Sequence, residues 1–333
     1  MIRNITLVLS CDKEYIIPAY VTLYSLLCNY KGSENIETYV LTRDKNNLEE
    51  YFELFNELET KFSFLHLSFI SVGRCFNKVK ISAVINNSIA TMYRLLIPNL
   101  VKADKCIYLD TDLVVEGDIS ALYNIDLGEF CIAGVKDYCL SNNKGHAKVL
   151  GIPTIKNYIN AGVLVFNNER INKLGLNNVI TQYGETESFP YHDQDIINKA
   201  LFGEIKIISL CYNVISVIIN RKNRDVIRTY GKEDVYQAES LPVIYHYAGS
   251  RKPWVFKHMY GANRWWKYID KQDEEVLKTY IIPFLQSYSI SPFDEVKERI
   301  ESMIKSVGLY PVFKKIEIII GSASHQICCM FRH

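Results

Sequence analysis

The sequence lacks the glycine-rich signatures that mark many nucleotide-binding proteins. It has no G-x-G-x-x-G fingerprint and no G-x-x-x-x-G-K loop, so the usual backbone cradles for dinucleotides and nucleoside triphosphates are excluded. No apolar run is long enough to span a bilayer. An excess of one charge is also missing: 38 Lys and Arg stand against 37 Asp and Glu, a formal net charge of +1. Binding of nucleic acid over the whole surface is therefore not expected. The nine cysteines are odd in number and scattered, apart from Cys328-Cys329, and show no C-x-x-C or zinc spacing. A reduced, cytoplasmic protein is the expectation. Met1-Ile2-Arg3-Asn4 leads straight into an apolar segment, without a signal-peptide pattern. Internal repeats and low-complexity tracts are absent as well.

What the chain does have is apolar residues in ordered patterns. Hydrophobic residues make up 48% of its 333 positions, ample for one large core or two small ones. Residues 5–9 read as a buried strand, and 16–30 as a helix with Pro18 near its start. Residues 37–42 read as a strand, and 47–62 as an acidic amphipathic helix with Leu48, Tyr51, Phe52, Phe55 and Leu58 on one side. Residues 64–72 alternate like a strand, and 88–96 read as a short helix. Alternating strand and helix over the first 112 residues predicts an α/β fold with a mostly parallel, doubly wound central sheet and helices on both faces. Further strands are expected at 131–135, 159–166, 205–209 and 243–247, with helices at 193–202, 260–268 and 273–285. Residues 140–157, polar and punctuated by Gly and Asn, read as a long excursion of the kind that often serves function.

One apolar run ends abruptly in acid: Cys106-Ile107-Tyr108-Leu109-Asp110-Thr111-Asp112. Two carboxylates one residue apart at the end of a buried strand repel each other and resist burial. A divalent cation relieves both problems, because carboxylates are hard oxygen ligands suited to magnesium or manganese. Strand carboxyl ends are also where ligands collect in α/β sheets. The pattern points to metal-assisted chemistry on a phosphorylated or nucleotide-activated substrate.

Four other constellations stand out, each with a plainer explanation beside it. His192-Asp193-Gln194-Asp195 opens a helix, where either carboxylate serves equally well as a cap. Tyr245-His246-Tyr247-Ala248-Gly249-Ser250-Arg251-Lys252-Pro253-Trp254 places a potential imidazole ligand near a glycine and a phosphate-neutralising lysine; His246 is otherwise a packed core residue. Asn160-Ala161-Gly162 begins a strand and is otherwise a small-residue packing site. Ser10-Cys11-Asp12 ends the first strand, with Tyr15 nearby as a base-stacking surface; Asp12 is otherwise a helix cap.

In order and spacing, five segments resemble glycosyltransferase family 8, which includes bacterial lipopolysaccharide galactosyl- and glucosyltransferases and the glycogenins. They are Tyr93-Arg94-Leu95, Tyr108-Leu109-Asp110-Thr111-Asp112, Asn160-Ala161-Gly162-Val163, Asp193-Gln194-Asp195, and His246-Tyr247-x-Gly249-x-x-Lys252-Pro253-Trp254. The resemblance covers residues 3–268 and implies a GT-A fold, a UDP-galactose or UDP-glucose donor, and transfer with retention at the anomeric carbon. It implies a manganese ion, with magnesium as the alternative, on Asp110, Asp112 and His246. Gly249 and Lys252 match positions near the diphosphate. Ser10, Asp12 and Tyr15 belong to the uridine side, and Thr111 to the donor-binding strand end. Arg94, Asn160, Ala161, Asp193 and Gln194 match positions around the sugar, with Asp193 and Gln194 as the catalytic pair. Glu14 departs from the family pattern, in which asparagine is frequent.

The resemblance divides the chain into a nucleotide-sugar-binding catalytic domain, residues 1–268, and a helical, basic and apolar tail, residues 269–333. From Lys297 onward the tail carries six basic residues against three acidic ones (Lys297, Arg299, Lys305, Lys314, Lys315 and Arg332; Glu298, Glu301 and Glu317). A helix is expected over 293–307, and the apolar run 316–320 follows. Basic and apolar residues together suit peripheral contact with an anionic membrane at the inner leaflet, where lipid-linked saccharide acceptors reside; docking of the helix on the core is the other reading. The leading expectation is hexosyl transfer to a cell-surface glycan such as lipopolysaccharide. The alternatives are a self-glycosylating, glycogenin-like initiator and a non-catalytic nucleotide-sugar binder. A glycoside hydrolase is disfavoured, because Asp110 and Asp112 are too close in sequence to flank a sugar from opposite faces.

Overall fold

The computed structural model describes residues 4–77, 88–215 and 224–288, together with Val296, Arg299, Ile300 and Met303. Ten strands form two sheets. In chain order they are β1 (Ile5–Ser10), β2 (Ile36–Thr42), β3 (Leu65–Ser71), β4 (Lys105–Leu109), β5 (Leu113–Val115), β6 (Ile132–Lys136), β7 (Ile159–Asn167), β8 (Ile205–Ile207), β9 (Val214–Ile215) and β10 (Ile244–His246). The large sheet has the order β3-β2-β1-β4-β7-β6-β8. Only β7 runs against its neighbours, β4 and β6; every other pairing in this sheet is parallel. The small sheet has the order β5-β10-β9.

Both faces of the large sheet are covered, and the strand residues show why. Along β1, Leu7 and Leu9 point into one core and Val8 into the other. Along β4, Ile107 and Leu109 join the first core while Cys106 and Tyr108 join the second. A strand buried on both faces reads as a continuous apolar run, as β1 and β4 do. The first core is filled by the helix Ile16–Asn29, buried from Ile16 to Leu27. The second is filled by Met92, Tyr93 and Leu95, from the turn Ile89–Leu96. Ser88 caps that turn, its hydroxyl accepting from the Ala90 N–H at 3.1 Å.

The expected helix over 47–62 begins as a 3-10 segment, Lys45–Tyr51, capped by Asp44, and becomes α-helical only over Phe52–Lys61. Leu54 joins Leu48, Phe55 and Leu58 in the core, while Tyr51 and Phe52 are half-buried. The polar excursion is not all loop: Asn143 accepts from the N–H groups of Gly145 and His146 and starts the helix Lys144–Leu150. Residues 270–288 run back over the body of the protein. Gln272 accepts from Tyr20 at 2.7 Å, Val276 and Ile281 are buried, and Phe284 meets Trp254. Of the helix expected over 293–307, only Val296, Arg299, Ile300 and Met303 are described, all helical; the rest of that helix and the run 316–320 lie outside the described residues. No helix among the described residues is long and apolar enough to cross a membrane.

The topology gathers several strand ends at one place. β1 and β4 end at the same level, Leu9 opposite Leu109. The antiparallel β7 begins there, so the Asp110 N–H donates to the Gly162 carbonyl at 2.8 Å. The small sheet docks beside it with His246 opposite Leu113.

Candidate active site

All the site residues singled out from the sequence line one cleft of about 330 Å³ at these strand ends. Its centre is the trio Asp110, Asp112 and His246, each offering one ligand atom, all within 4.8 Å of one another. Asp110 is reached by two donors, the Tyr108 hydroxyl at 2.8 Å and Arg94 Nη2 at 2.7 Å. Burial keeps the Tyr108 phenol protonated, its pKa raised well above the usual value. Its one hydrogen goes to Asp110, so in the 2.9 Å contact with Ser10 Oγ the serine donates.

Asp112 lies between His246 and Lys252. His246 Nε2 is 3.1 Å from its Oδ1, and the Lys252 ammonium contacts its Oδ2. Burial alone would raise the Asp112 carboxyl, but Lys252 and His246 outweigh it and hold the group well below the usual carboxylate range. Lys252 also donates to the Tyr247 carbonyl at 2.9 Å. The loop that carries it turns at Gly249, whose φ of 92° is in a region that side-chain-bearing residues rarely adopt.

Arg94 is almost fully buried and ties together one side of the cleft. Nη2 pairs with Asp110, Nε lies 3.1 Å from Asp193 Oδ2, and Nη1 donates to the Ala161 carbonyl at 2.6 Å. Its guanidinium stacks over the Tyr108 ring at 4.6 Å. Asp193 is raised to about 6, first by burial, with Arg94 opposing and Asp110 adding to the rise. The two acids of the Asp193-Gln194-Asp195 segment divide the roles left open by the sequence. Asp195 reaches back to the Tyr191 N–H at 2.9 Å and locks the start of the helix His192–Ala200. Asp193 faces Arg94 and the cleft. The residue between Tyr191 and Asp193, His192, has a φ of 43°, a strained conformation of the kind that gathers at functional sites.

Gln194 uses all four of its hydrogen-bonding positions within the protein. Oε1 accepts from Asn160 Nδ2 at 3.0 Å and the Ala161 N–H at 3.1 Å. Nε2 lies 3.2 Å from Asp137 Oδ2 and 3.3 Å from the Tyr158 hydroxyl. Asp12 caps the turn Lys13–Tyr15 through the Tyr15 N–H at 3.2 Å while lining the cleft. Tyr15 meets Trp254 edge-on. Thr111 is buried, and its carbonyl accepts from Thr22 Oγ1 at 3.0 Å.

The sequence reading did not find Asn213 or Asp137. Asn213 is a buried amide between Tyr212 and β9, donating to Asn160 Oδ1 and accepting from His246 Nδ1, both at 2.8 Å. A polar residue within the apolar stretch Leu210-Cys211-Tyr212-Asn213-Val214-Ile215 was the available signal. Gly162 has a clear reason to be glycine: a Cβ there would collide with the His246 ring and come within 2.9 Å of Asp110 Oδ2. Gly162→Ala is therefore expected to push the trio apart, so that Mn2+ used as a cation probe binds more weakly than to wild type by electron paramagnetic resonance, with the far-ultraviolet spectrum unchanged. Unaltered Mn2+ affinity would refute this account of the glycine.

The residues present fit a divalent cation. Two carboxylates and an imidazole converge within 4.8 Å of one another, a donor set suited to a divalent cation. Residues 6–257 match the family model described as glycosyl transferase family 8. The chain belongs to glycosyltransferase family 8. Among members of glycosyltransferase family 8 and related proteins, it is 26% identical over 261 residues to a putative glycosyltransferase of Haemophilus influenzae, covering 76% of this chain and 73% of that one. It is 28% identical over 166 residues to the lipopolysaccharide 1,2-glucosyltransferase of Escherichia coli, covering 49% of this chain and 48% of the relative. Other curated relatives are likewise spanned over less than two thirds of their length. The solved structure of the galactosyltransferase LgtC, in complex with donor and acceptor sugar analogs, superposes with a TM-score of 0.66 at 20% identity, over 83% of this chain and all of that one. That likeness establishes the GT-A fold.

Proposed function

We propose that this glycosyltransferase moves a hexose, galactose or glucose, from a UDP-sugar to a glycan acceptor with retention at the anomeric carbon. The supporting observation is the convergence of Asp110, Asp112 and His246, from two different sheets, beside Lys252. Those three side chains are proposed to hold Mn2+, or Mg2+ in its place. When bound, the cation supplies positive charge to the diphosphate leaving group.

The rest of the proposed chemistry belongs to the chain. Lys252, at hydrogen-bond distance from Asp112, adds its charge on the diphosphate side. Ser10, Asp12 and Tyr15 form the uridine end of the cleft, Thr111 belongs to the donor-binding strand end, and Gly249 lies near the diphosphate. Arg94, Asn160 and Ala161 surround the sugar. Asp193 carries negative charge toward the sugar as positive charge develops on it. Gln194, with all its positions in use, fixes Ala161 and Asn160 and is a poor nucleophile. The favoured route is same-face attack by the acceptor hydroxyl, whose proton passes to the departing phosphate; a covalent adduct on Asp193 is the weaker alternative. Trapping such an adduct would reverse the order.

The proposed acceptor is a cell-surface glycan or a lipid-linked saccharide, lipopolysaccharide among them, in keeping with the Escherichia coli relative. The proposed location is the cytoplasm, with peripheral contact to the inner face of the membrane through the tail. UDP release from a panel of UDP-sugars with Mn2+ tests the donor. Faster release from UDP-galactose or UDP-glucose than from other UDP-sugars supports the reading, and release from none of them counts against it.

The Asp193 shift gives this reaction a pH signature. The charged carboxylate exists above about 6 and is lost as pH falls through that value. An acid limb near pH 6 is expected in kcat/KM for donor hydrolysis. It should vanish in Asp193→Asn, which should be slow at every pH. An acid limb that persists in the variant would assign it to another group.

A further inference from the structure

We propose that Asn213 is a positioning residue that holds His246 in the Nδ1–H tautomer and turns the Nε2 lone pair toward Asp110 and Asp112. The inference rests on the reading of that trio as a cation site. It begins with two main-chain donors whose direction is not open to choice. The Gly162 N–H donates to the Asn160 side chain at 2.9 Å, so the atom there is the amide oxygen. The Ala161 N–H donates to the Gln194 side chain at 3.1 Å, so that atom is also an oxygen.

The rest of the chain of amides follows. With its oxygen toward Gly162, Asn160 presents its NH2 group to Gln194 Oε1 at 3.0 Å. Asn160 Oδ1 is an acceptor, so the Asn213 atom 2.8 Å away is nitrogen. Asn213 Oδ1 then faces His246 Nδ1 at 2.8 Å. An amide oxygen only accepts, so Nδ1 carries the hydrogen and Nε2 keeps the lone pair in the neutral ring. Nε2 is 3.1 Å from Asp112 Oδ1 and 3.8 Å from Asp110 Oδ2. A neutral nitrogen lone pair facing two carboxylates is an arrangement that a cation completes and a hydrogen bond does not.

The relay matters because the carboxylates alone favour the opposite tautomer, with a hydrogen on Nε2. Reversing Asn213 would set its oxygen against Asn160 Oδ1. Reversing Asn160 would set its NH2 group against the Gly162 N–H. Asn213 is 2% exposed and Asn160 9% exposed, so water is poorly placed to relieve either conflict. Partners that fix a ligating imidazole through its second nitrogen typically change metal affinity by about 10- to 100-fold when removed.

The test uses the full chain labelled with 15N at histidine, free of metal, followed over a pH series so that the neutral form of the ring is read directly. His246→Gln identifies the His246 ring signals. Wild type and Asn213→Asp, which keeps an acceptor toward Nδ1 but sets its second oxygen against Asn160 Oδ1, should both show the Nδ1–H pattern, the variant with a lower melting temperature. Asn213→Leu should shift toward Nε2–H and bind Mn2+ about 10- to 100-fold more weakly by electron paramagnetic resonance. An Nε2–H pattern in wild type or in Asn213→Asp overturns the proposal. So does Asn213→Leu with an unchanged tautomer and unchanged affinity. If the leucine variant does not fold, the wild-type and aspartate spectra decide. Wild-type Mn2+ binding by Asp112→Asn would sink the cation reading separately, because the tautomer is read without metal.

Discussion

Asp112→Asn is expected to reduce donor turnover about a thousandfold while leaving the fold in place. One Asp112 oxygen faces His246 Nε2 and the other contacts Lys252. An amide keeps the shape but loses the charge, and its NH2 group must face either the lysine or the imidazole. A cation stabilises a departing oxyanion by several kcal/mol, and each ~1.4 kcal/mol is worth about tenfold in rate. Loss of an anionic ligand puts most of that at risk. The fold should survive because Lys252 keeps its bond to the Tyr247 carbonyl. UDP release with Mn2+, paired with a thermal melt, measures both halves. Turnover within a few-fold of wild type would contradict the assignment.

Arg94→Met should produce the largest loss of stability, about 3–5 kcal/mol in urea unfolding, the range for removing one partner of a buried ion pair. Methionine preserves much of the stem but none of the charge. Asp110 and Asp193 lose their shared guanidinium, and the Ala161 carbonyl loses its donor. The deficit should shrink as pH falls toward about 6 and level off below it. Asp193 already sits near that value with Arg94 present, and without it the folded state takes up a proton more readily. A folded pKa above the unfolded one means stability falls as pH rises across the interval between them and is level above it. The variant should therefore recover stability relative to wild type in acid. A deficit independent of pH would mean that lost packing, rather than orphaned charge, is responsible.

Much of this architecture was legible because its elements are locally strong. β1, β4 and β7 are apolar runs buried on both faces, and such runs announce themselves. The break from Leu109 to Asp110 was readable for the same reason. The short helices Asn168–Lys173, Leu176–Thr186, Arg224–Tyr230 and Lys232–Ser240 escaped notice because tertiary contacts carry them. In the second of these, Ile180 and Gly184 are the buried positions, too few to set a visible period. β5, three residues long, exists because β10 pairs with it. Asp12 illustrates a different limit: cap and cleft residue were posed as alternatives, and the side chain does both. Asn213 was hidden for a third reason. Its importance comes from an amide 53 residues away and an imidazole 33 residues away in the chain, and no local pattern encodes such partners.

The order in which the cleft is supplied has a consequence for synthesis. The lysine that meets Asp112 lies 140 residues downstream, and the histidine 134. A growing polypeptide that leaves the ribosome amino end first thus exposes Asp112 long before its neutralising partners emerge. The early strands can assemble, since β1, β2 and β3 pair with near neighbours, but their carboxyl rim stays electrostatically incomplete until the last strand arrives. Closure of the cleft is a late event in the birth of this enzyme, and contacts of such long range are the slow ones to form.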